Sequence, residues 1–290
     1  MRNIPKPVWL LGLVSFFNDV ASEMIYPIVP IFLTSVLKAS VPVVGIIEGI
    51  SEATASISKY GFGAFSDYLQ KRKIFVIVGY AFSAVSKLIL AFAYIWPIVL
   101  VARFTDRIGK GVRTAARDSL LLENTTATNK GFIFGFHRAF DSAGAVVGPL
   151  LGLVLLAAFH ENMRLTFLVA FIPTTIAVLL LFLIHEKKSP PSREKQTFVK
   201  LSWKLVDPKL KIFIISSVIF SLGNSADSFL ILRAKDLGLT TTMAVLTYVL
   251  YNVSQTIFSA PAGHLADKIG AKRVYIGGLI IFSVVYLTFG

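Results

Sequence analysis

Gly63-Ala64-Phe65-Ser66-Asp67-Tyr68-Leu69-Gln70-Lys71-Arg72-Lys73 follows a long apolar stretch. A second stretch of the same design, Gly263-His264-Leu265-Ala266-Asp267-Lys268-Ile269-Gly270-Ala271-Lys272-Arg273, lies 200 residues further on. Each carries Gly-x-x-x-Asp followed by a basic cluster. Both are read as loops that occupy equivalent places in two halves of the chain. An internal repeat of this kind marks architectures assembled from two related bundles.

Outward from these stretches the chain is apolar. Its 290 residues are 55% hydrophobic and 16% charged, whereas a soluble domain carries about a quarter charged residues. The apolar residues therefore fall in stretches of about 20, the thickness of a bilayer core. Nine segments qualify: Val8–Val36, Val41–Ser66, Ile74–Trp96, Ile98–Leu120, Phe132–Ala158, Leu165–Ile184, Ile212–Leu232, Thr241–His264 and Val274–Gly290. The fold class is an all-α membrane protein. Its expected organisation is a six-helix bundle over 1–185, a basic linker over 186–211 and a partial second bundle over 212–290. Ser189-Pro190-Pro191-Ser192 marks the linker, and Phe198–Leu205 within it reads as an amphipathic segment on the membrane surface. Two complete six-helix bundles need three further helices, so the chain is expected to be C-terminally incomplete and, by itself, unable to transport.

Basic residues fix the expected orientation. They cluster before the first segment (Arg2, Lys6), after the second (Lys71, Arg72, Lys73), in the linker, and after the eighth (Lys268, Lys272, Arg273), while the alternate loops are poor in them. The positive-inside rule then places the N-terminus in the cytoplasm, in a multi-pass protein of the plasma (inner) membrane whose first helix is an uncleaved signal anchor. Arg233 and Lys235 after segment seven run against that pattern. The same clustering accounts for the net charge of +13 without nucleic acid as a partner. Cysteine is absent, which excludes thiol chemistry and Cys-zinc sites. His137, His160, His185 and His264 lack metal-ligand spacing. Gly109-Lys110-Gly111 is not a phosphate-binding loop. No nucleophile–base pair is discernible, so no enzyme, cofactor or metal is expected.

The paired stretches resemble the signature loop of the major facilitator superfamily, Gly-x-x-x-Asp-Arg/Lys-x-Gly-Arg-Arg/Lys. The second copy matches nearly throughout, and the first departs at Tyr68 and Gln70. The resemblance implies gating roles for Gly63, Asp67, Lys71 and Arg72 and for Gly263, Asp267, Lys268, Gly270, Lys272 and Arg273. Segment five holds Gly144-Ala-Val-Val-Gly148-Pro149-Leu-Leu-Gly152, similar to the antiporter motif of that family's exporters. Independently of any family, Gly144, Gly148 and Gly152 share one helical face that admits a close neighbour, and Pro149 removes a backbone donor. Tight packing and closure of a pore are both open readings.

Ionisable side chains inside spanning helices cost about 2.5 kcal/mol or more each and are functional candidates by default. Asp19 and Glu23 stand one turn apart on segment one, followed by Pro27 and Pro30, which should bend it. Glu48 and Glu52 repeat the spacing on segment two, and Lys87 lies on segment three. Segment four carries Arg103, Asp106, Arg107, Lys110, Arg113 and Arg117, and the steps from 103 to 106, 110, 113 and 117 put those five on one face, which must line a wet cavity or the bundle interior. Asp141 on segment five, with His137 and Arg138, and Asp227 on segment seven complete the set. Arg103 resembles the family's segment-four arginine, a group tied to proton coupling. For each residue a titrating role competes with a fixed ion pair. Asp19, Glu23, Glu48 and Glu52 are the strongest coupling candidates. The expected function is a proton-gradient-driven exporter of small amphipathic molecules, working as a monomer in the lipid bilayer. An uptake symporter for a polar metabolite and a non-transporting membrane receptor or assembly protein are the alternatives.

Overall fold

A computed structural model describes residues 4–69, 71–126, 130–184 and 206–289. The described residues form helices joined by short turns: α1 (Lys6–Ile25), α2 (Val29–Ile31), a π-helical turn over Phe32–Val36, α3 (Val41–Leu69), α4 (Arg72–Ala91), α5 (Trp96–Leu122), α6 (Lys130–Ala158), α7 (Met163–Phe182), α8 (Pro208–Gly223), α9 (Asp227–Asp236), α10 (Thr241–Ile269) and α11 (Ala271–Phe289). The protein is an all-α membrane protein. Among the described residues six helical spans are long and apolar enough to cross a bilayer. α5 has the length of a span but carries the charged face, and it is covered by α3 and α4.

Local sequence accounts for the starts and breaks. Pro7 and Pro97 sit in the first turns of α1 and α5, where a missing N–H costs nothing. Asp207 caps α8, accepting from the backbone N–H of Lys209 at 2.8 Å, so that helix begins at Pro208 rather than at Ile212. Segment one breaks where Pro27 and Pro30 stand: α1 ends at Ile25 and the chain resumes as α2 and a π turn. Segment seven is also interrupted, which the hydropathy reading did not anticipate. α8 stops at Gly223, Asn224 is extended, and α9 starts at Asp227. Small polar residues compete with the helix for backbone hydrogen bonds there. Pro149 and Pro173, by contrast, lie inside continuous helices.

Two boundaries correct the sequence reading. Segment three ends at Ala91, and Trp96 opens α5 instead of closing α4. The Gly63 and Gly263 stretches are mostly not loops. Gly63–Leu69 forms the last turns of α3, and Gly263–Ile269 those of α10. The turn proper comes after them, at Lys71 in the first copy and at Gly270, with φ of +93°, in the second. The side chains of Asp67, His264 and Asp267 lie outside the described residues, as does the proposed surface segment Phe198–Leu205.

α1 packs against α6 and α7, α4 against α5 and α7, and α3 against α5. One apolar cluster, built around Phe32, Ile28, Ile47 and Phe167, occupies the end of the bundle near the turn at Leu37–Ser40, here termed the far end. A second, around Leu11, Tyr80, Leu121 and Leu181, occupies the end near Lys71 and residues 123–126, termed the basic-loop end. The charged groups lie between the two. α9 packs on α2 at the far end, and α10 packs on α6 and α9.

Candidate functional site

A cavity of about 240 Å3 opens between the two apolar clusters. α5 contributes Arg103, Asp106, Arg107, Lys110 and Arg113, α1 contributes Asp19, Ser22, Glu23 and Tyr26, α4 contributes Ser86 and Lys87, and α3 contributes Glu52. From the second half come Asp227 of α9 and Tyr248 of α10. The three-and-four spacing on α5 places its charged face on this space.

Three ion pairs fix part of the lining. Lys87, only 1% exposed, donates to Asp106 at 2.9 Å and to the hydroxyl of Ser22 at 3.1 Å. Arg103 reaches both carboxylate oxygens of Glu48, at 2.7 and 2.8 Å, and lies over the ring of Tyr26. Arg107 pairs with Glu52 at 3.3 Å. Arg113 is satisfied without an acid. It donates to Ser83 Oγ at 2.5 Å and stacks on Tyr80, 4.5 Å from the ring centroid. For Glu48, Asp106 and Lys87, then, this structure shows the fixed-pair arrangement.

Asp19, Glu23 and Asp227 differ. None of them forms an ion pair among the described residues. Asp19 accepts from the Asn18 amide at 3.1 Å, and Glu23 accepts from the hydroxyl of Tyr248 at 2.8 Å. This last bond crosses between the two halves, as does the one from Ser228 Oγ to Glu48 at 3.1 Å. The Tyr26 and Tyr248 rings meet 5.3 Å apart at the same level. Tyr248 and Ser228 were not singled out from sequence. A hydroxyl in an apolar helix gives no periodic signal, and the partners of Tyr248 and Ser228 lie far away in the chain.

The small-residue face of α6 bears on the two unpaired carboxylates. A Cβ at Gly144 would lie 2.9 Å from Asp19 Cβ and 2.9 Å from the Phe16 carbonyl. One at Gly148 would meet the Val20 carbonyl at 2.7 Å and Glu23 Cβ at 2.9 Å, and one at Gly152 the Met24 carbonyl at 2.6 Å. Each glycine thus admits one turn of α1, and the turns admitted carry Asp19 and Glu23. α4 and α5 meet as closely: a Cβ at Gly79 would sit 2.6 Å from the Gly109 carbonyl.

Of the remaining candidates, Asp141 lies apart from the cavity wall, at the α1–α6 seam one turn toward the basic-loop end. It accepts from Ser15 and stands 3.6 Å from His137 Nδ1. At the basic-loop end Arg72 pairs with Glu123 at the end of α5. Lys268, Lys272 and Arg273 fall around the turn at Gly270. The side chain of Asp267 and the environment of Gly263 lie outside the described residues, so the second copy is placed by its helix alone.

Residues 11–248 match the family model described as Major Facilitator Superfamily. An MFS-type transporter of Methanocaldococcus jannaschii, itself uncharacterised, is 38% identical over 99% of this chain and 73% of its own length. Multidrug resistance protein MdtG of Citrobacter koseri is 24% identical over 92% of this chain and 68% of its own. Among solved structures, a bacterial homologue of the human lysosomal transporter Spinster, crystallised inward-facing and occupied, superposes with a TM-score of 0.65 at 15% identity, covering 91% of this chain and 62% of that one. A D-xylose–proton symporter gives 0.57 at 17% identity over 90% and 68%. The chain therefore spans between three fifths and three quarters of the length of these proteins.

Proposed function

The chain belongs to the major facilitator superfamily, and from that premise we propose that it is a proton-coupled secondary transporter that exports small amphipathic molecules by alternating access. The observation that carries the proposal is the pair Asp19 and Glu23. Both line the cavity, neither forms an ion pair among the described residues, and Glu23 receives its hydrogen bond from the other half of the molecule. A carboxylate that can take up a proton and that also ties the halves together links charge state to access state. Protonated Glu23 is a weaker acceptor for Tyr248 than ionised Glu23, because charge-assisted hydrogen bonds are the stronger ones. Gain and loss of the proton therefore bias the contact at the far end.

Contacts named between the halves lie toward the far end, where Glu23, Tyr26, Gly45 and Glu48 meet Ser228, Phe229 and Tyr248. α3 buries Val44, Ile47, Glu48 and Ser51 there, but leaves Ile57 at 73% and Tyr60 at 82% exposure in its other half. Such an arrangement fits a state closed at the far end. With the N-terminus in the cytoplasm and the protein in the plasma membrane, that is the inward-facing state of a monomer. The Gly144–Gly152 face, packed on the coupling turn of α1, favours export.

One observation favours the alternative of uptake. The cavity lining is rich in both charge signs, which suits a polar metabolite better than an apolar one. Flux in proteoliposomes separates the two. Export predicts that ethidium, a representative amphipathic cation, moves against its gradient when protons flow the other way. Uptake predicts that a polar metabolite accumulates in the direction of proton flow. In either case Asp19→Asn or Glu23→Gln should reduce gradient-driven flux at least tenfold while ligand binding persists. Unchanged coupling in both variants defeats the assignment.

A further inference from the structure

Beyond the cavity wall, a second set of polar side chains is buried in the seam between α1 and α6. Ser15 lies one turn below Asp19 on α1, and its hydroxyl donates to Asp141 Oδ1 on α6. The same oxygen stands 3.6 Å from His137 Nδ1, one further turn toward the basic-loop end. Gly144, one turn above Asp141, holds the α6 backbone against Asp19. From α5, Arg117 donates to Ser15 Oγ at 3.3 Å and pairs with Asp118 at 3.1 Å. Arg138 on α6 approaches the other Asp141 oxygen at 3.8 Å, and its side chain is 78% exposed. His137 is 4% exposed, and its Nε2 is buried with no hydrogen-bond partner among the described residues. Nothing in the cavity mechanism uses this imidazole, and an unsatisfied buried ring nitrogen calls for an explanation.

We propose that Ser15, Asp141 and His137 form a proton route from Asp19 to the basic-loop end, separate from the cavity that holds the substrate. The inference rests on the coupling reading above and deepens it. The proton leaving the Asp19 carboxyl is taken by the Asp141 carboxylate, with the Ser15 hydroxyl as bridge. His137 Nδ1 accepts it next, and the imidazole gives up a proton from Nε2 when a movement of the seam brings that buried nitrogen to water at the basic-loop end. One proton crosses and no other bond changes. The groups facing the imidazole are Asp141 and Arg138 on its own helix and Arg117 and Asp118 on α5, with Ser15 of α1 bonded to the same Asp141 oxygen. A separate route matters because a bound substrate fills the cavity beside Asp19. Through the seam, the carboxyl exchanges its proton while the substrate stays in place.

The absence of cysteine allows a direct test. Glu52, with 66% of its side chain exposed on the cavity wall, is replaced by Glu52→Cys and labelled with a bulky maleimide to plug the cavity. In nanodiscs, a rapid pH jump is followed through the infrared carboxyl band of Asp19, assigned by its loss in Asp19→Asn. The plugged protein should protonate Asp19 within threefold of the unplugged rate. Plugged Asp141→Asn should be at least tenfold slower and plugged His137→Gln similarly slowed, while unplugged Asp141→Asn keeps the normal rate. Ser15→Ala gives a second, milder interruption, and Asp141→Glu should restore exchange. Equal rates in plugged wild type and plugged Asp141→Asn, or arrest of exchange by the plug alone, overturn the route. An Asp19 band that titrates in no variant overturns the coupling reading itself and the route with it.

Discussion

Lys87 is the most deeply buried charge in the cavity wall, and its ammonium is matched by Asp106 and Ser22. Breaking a buried pair from one side leaves the other charge uncompensated, at a cost of about 3–5 kcal/mol. Lys87→Met should therefore lower thermal stability sharply. The double replacement Lys87→Met with Asp106→Leu should recover most of the loss, and a cycle of the four proteins measured by thermal unfolding in detergent checks this. A single variant as stable as the parent would show that the pair is not held in the folded protein. The exposed partner Glu52 sets the contrast. Its pair with Arg107 is screened by solvent, and Glu52→Gln should shift stability by less than about 1 kcal/mol. Sequence placed all four side chains in spanning helices but could not tell a tethered acid from an unpaired one. The choice depends on which basic group lies within 4 Å.

At the scale of elements, the α1–α6 seam is the feature on which the site depends. Gly148 lies against the Val20 carbonyl and the Met24 N–H, backbone atoms that cannot rotate away. Gly148→Ala forces the helices apart, and overpacking of this sort costs about 1–3 kcal/mol. Because the displaced turn carries Glu23, coupling should fall along with stability. Gly135 lies on the same helix, but a Cβ added there would meet nothing within 4 Å. Gly135→Ala should therefore be neutral or slightly stabilising through helix propensity. Melting temperatures of the two variants test the pair, and equal losses would remove the seam argument. The three-residue glycine pattern was legible because its period of four matches a helical face. Which helix fills that face was not legible. The interruption at Asn224–Ala226 was missed for a related reason: apolar residues on both sides keep the average hydropathy high across a short break.

At the scale of the molecule, the halves are joined by hydroxyl groups of the second half donating to carboxylates of the first. A hydrogen bond to a charged group contributes about 1.5–3 kcal/mol. Loss of one should move a two-state access equilibrium by roughly tenfold or more. Tyr248→Phe removes the bond to Glu23 and keeps the ring contact with Tyr26. Spin labels at Ser40→Cys and Thr240→Cys, read by pulsed dipolar spectroscopy, should then show a larger population with the far end separated. An unaltered distance distribution would mean that the bond does not hold the halves.

The sequence by itself determined the membrane character, the approximate positions of most of the helices, the bend after Asp19 and Glu23, the repeated Gly-x-x-x-Asp stretches and the small-residue face of α6. Those properties are local or periodic, and each is set by residues within a few turns of one another. Only the tertiary structure decided that Glu48 and Asp106 are paired while, among the described residues, Asp19 and Glu23 are not. It also decided that Tyr248 reaches Glu23 across 225 positions of the chain, and that Asp141 belongs to the seam rather than to the cavity. The physical reason is range. Hydrophobic periodicity acts along one helix, whereas the state of a buried carboxylate is set by whichever side chain another helix brings within a few ångströms.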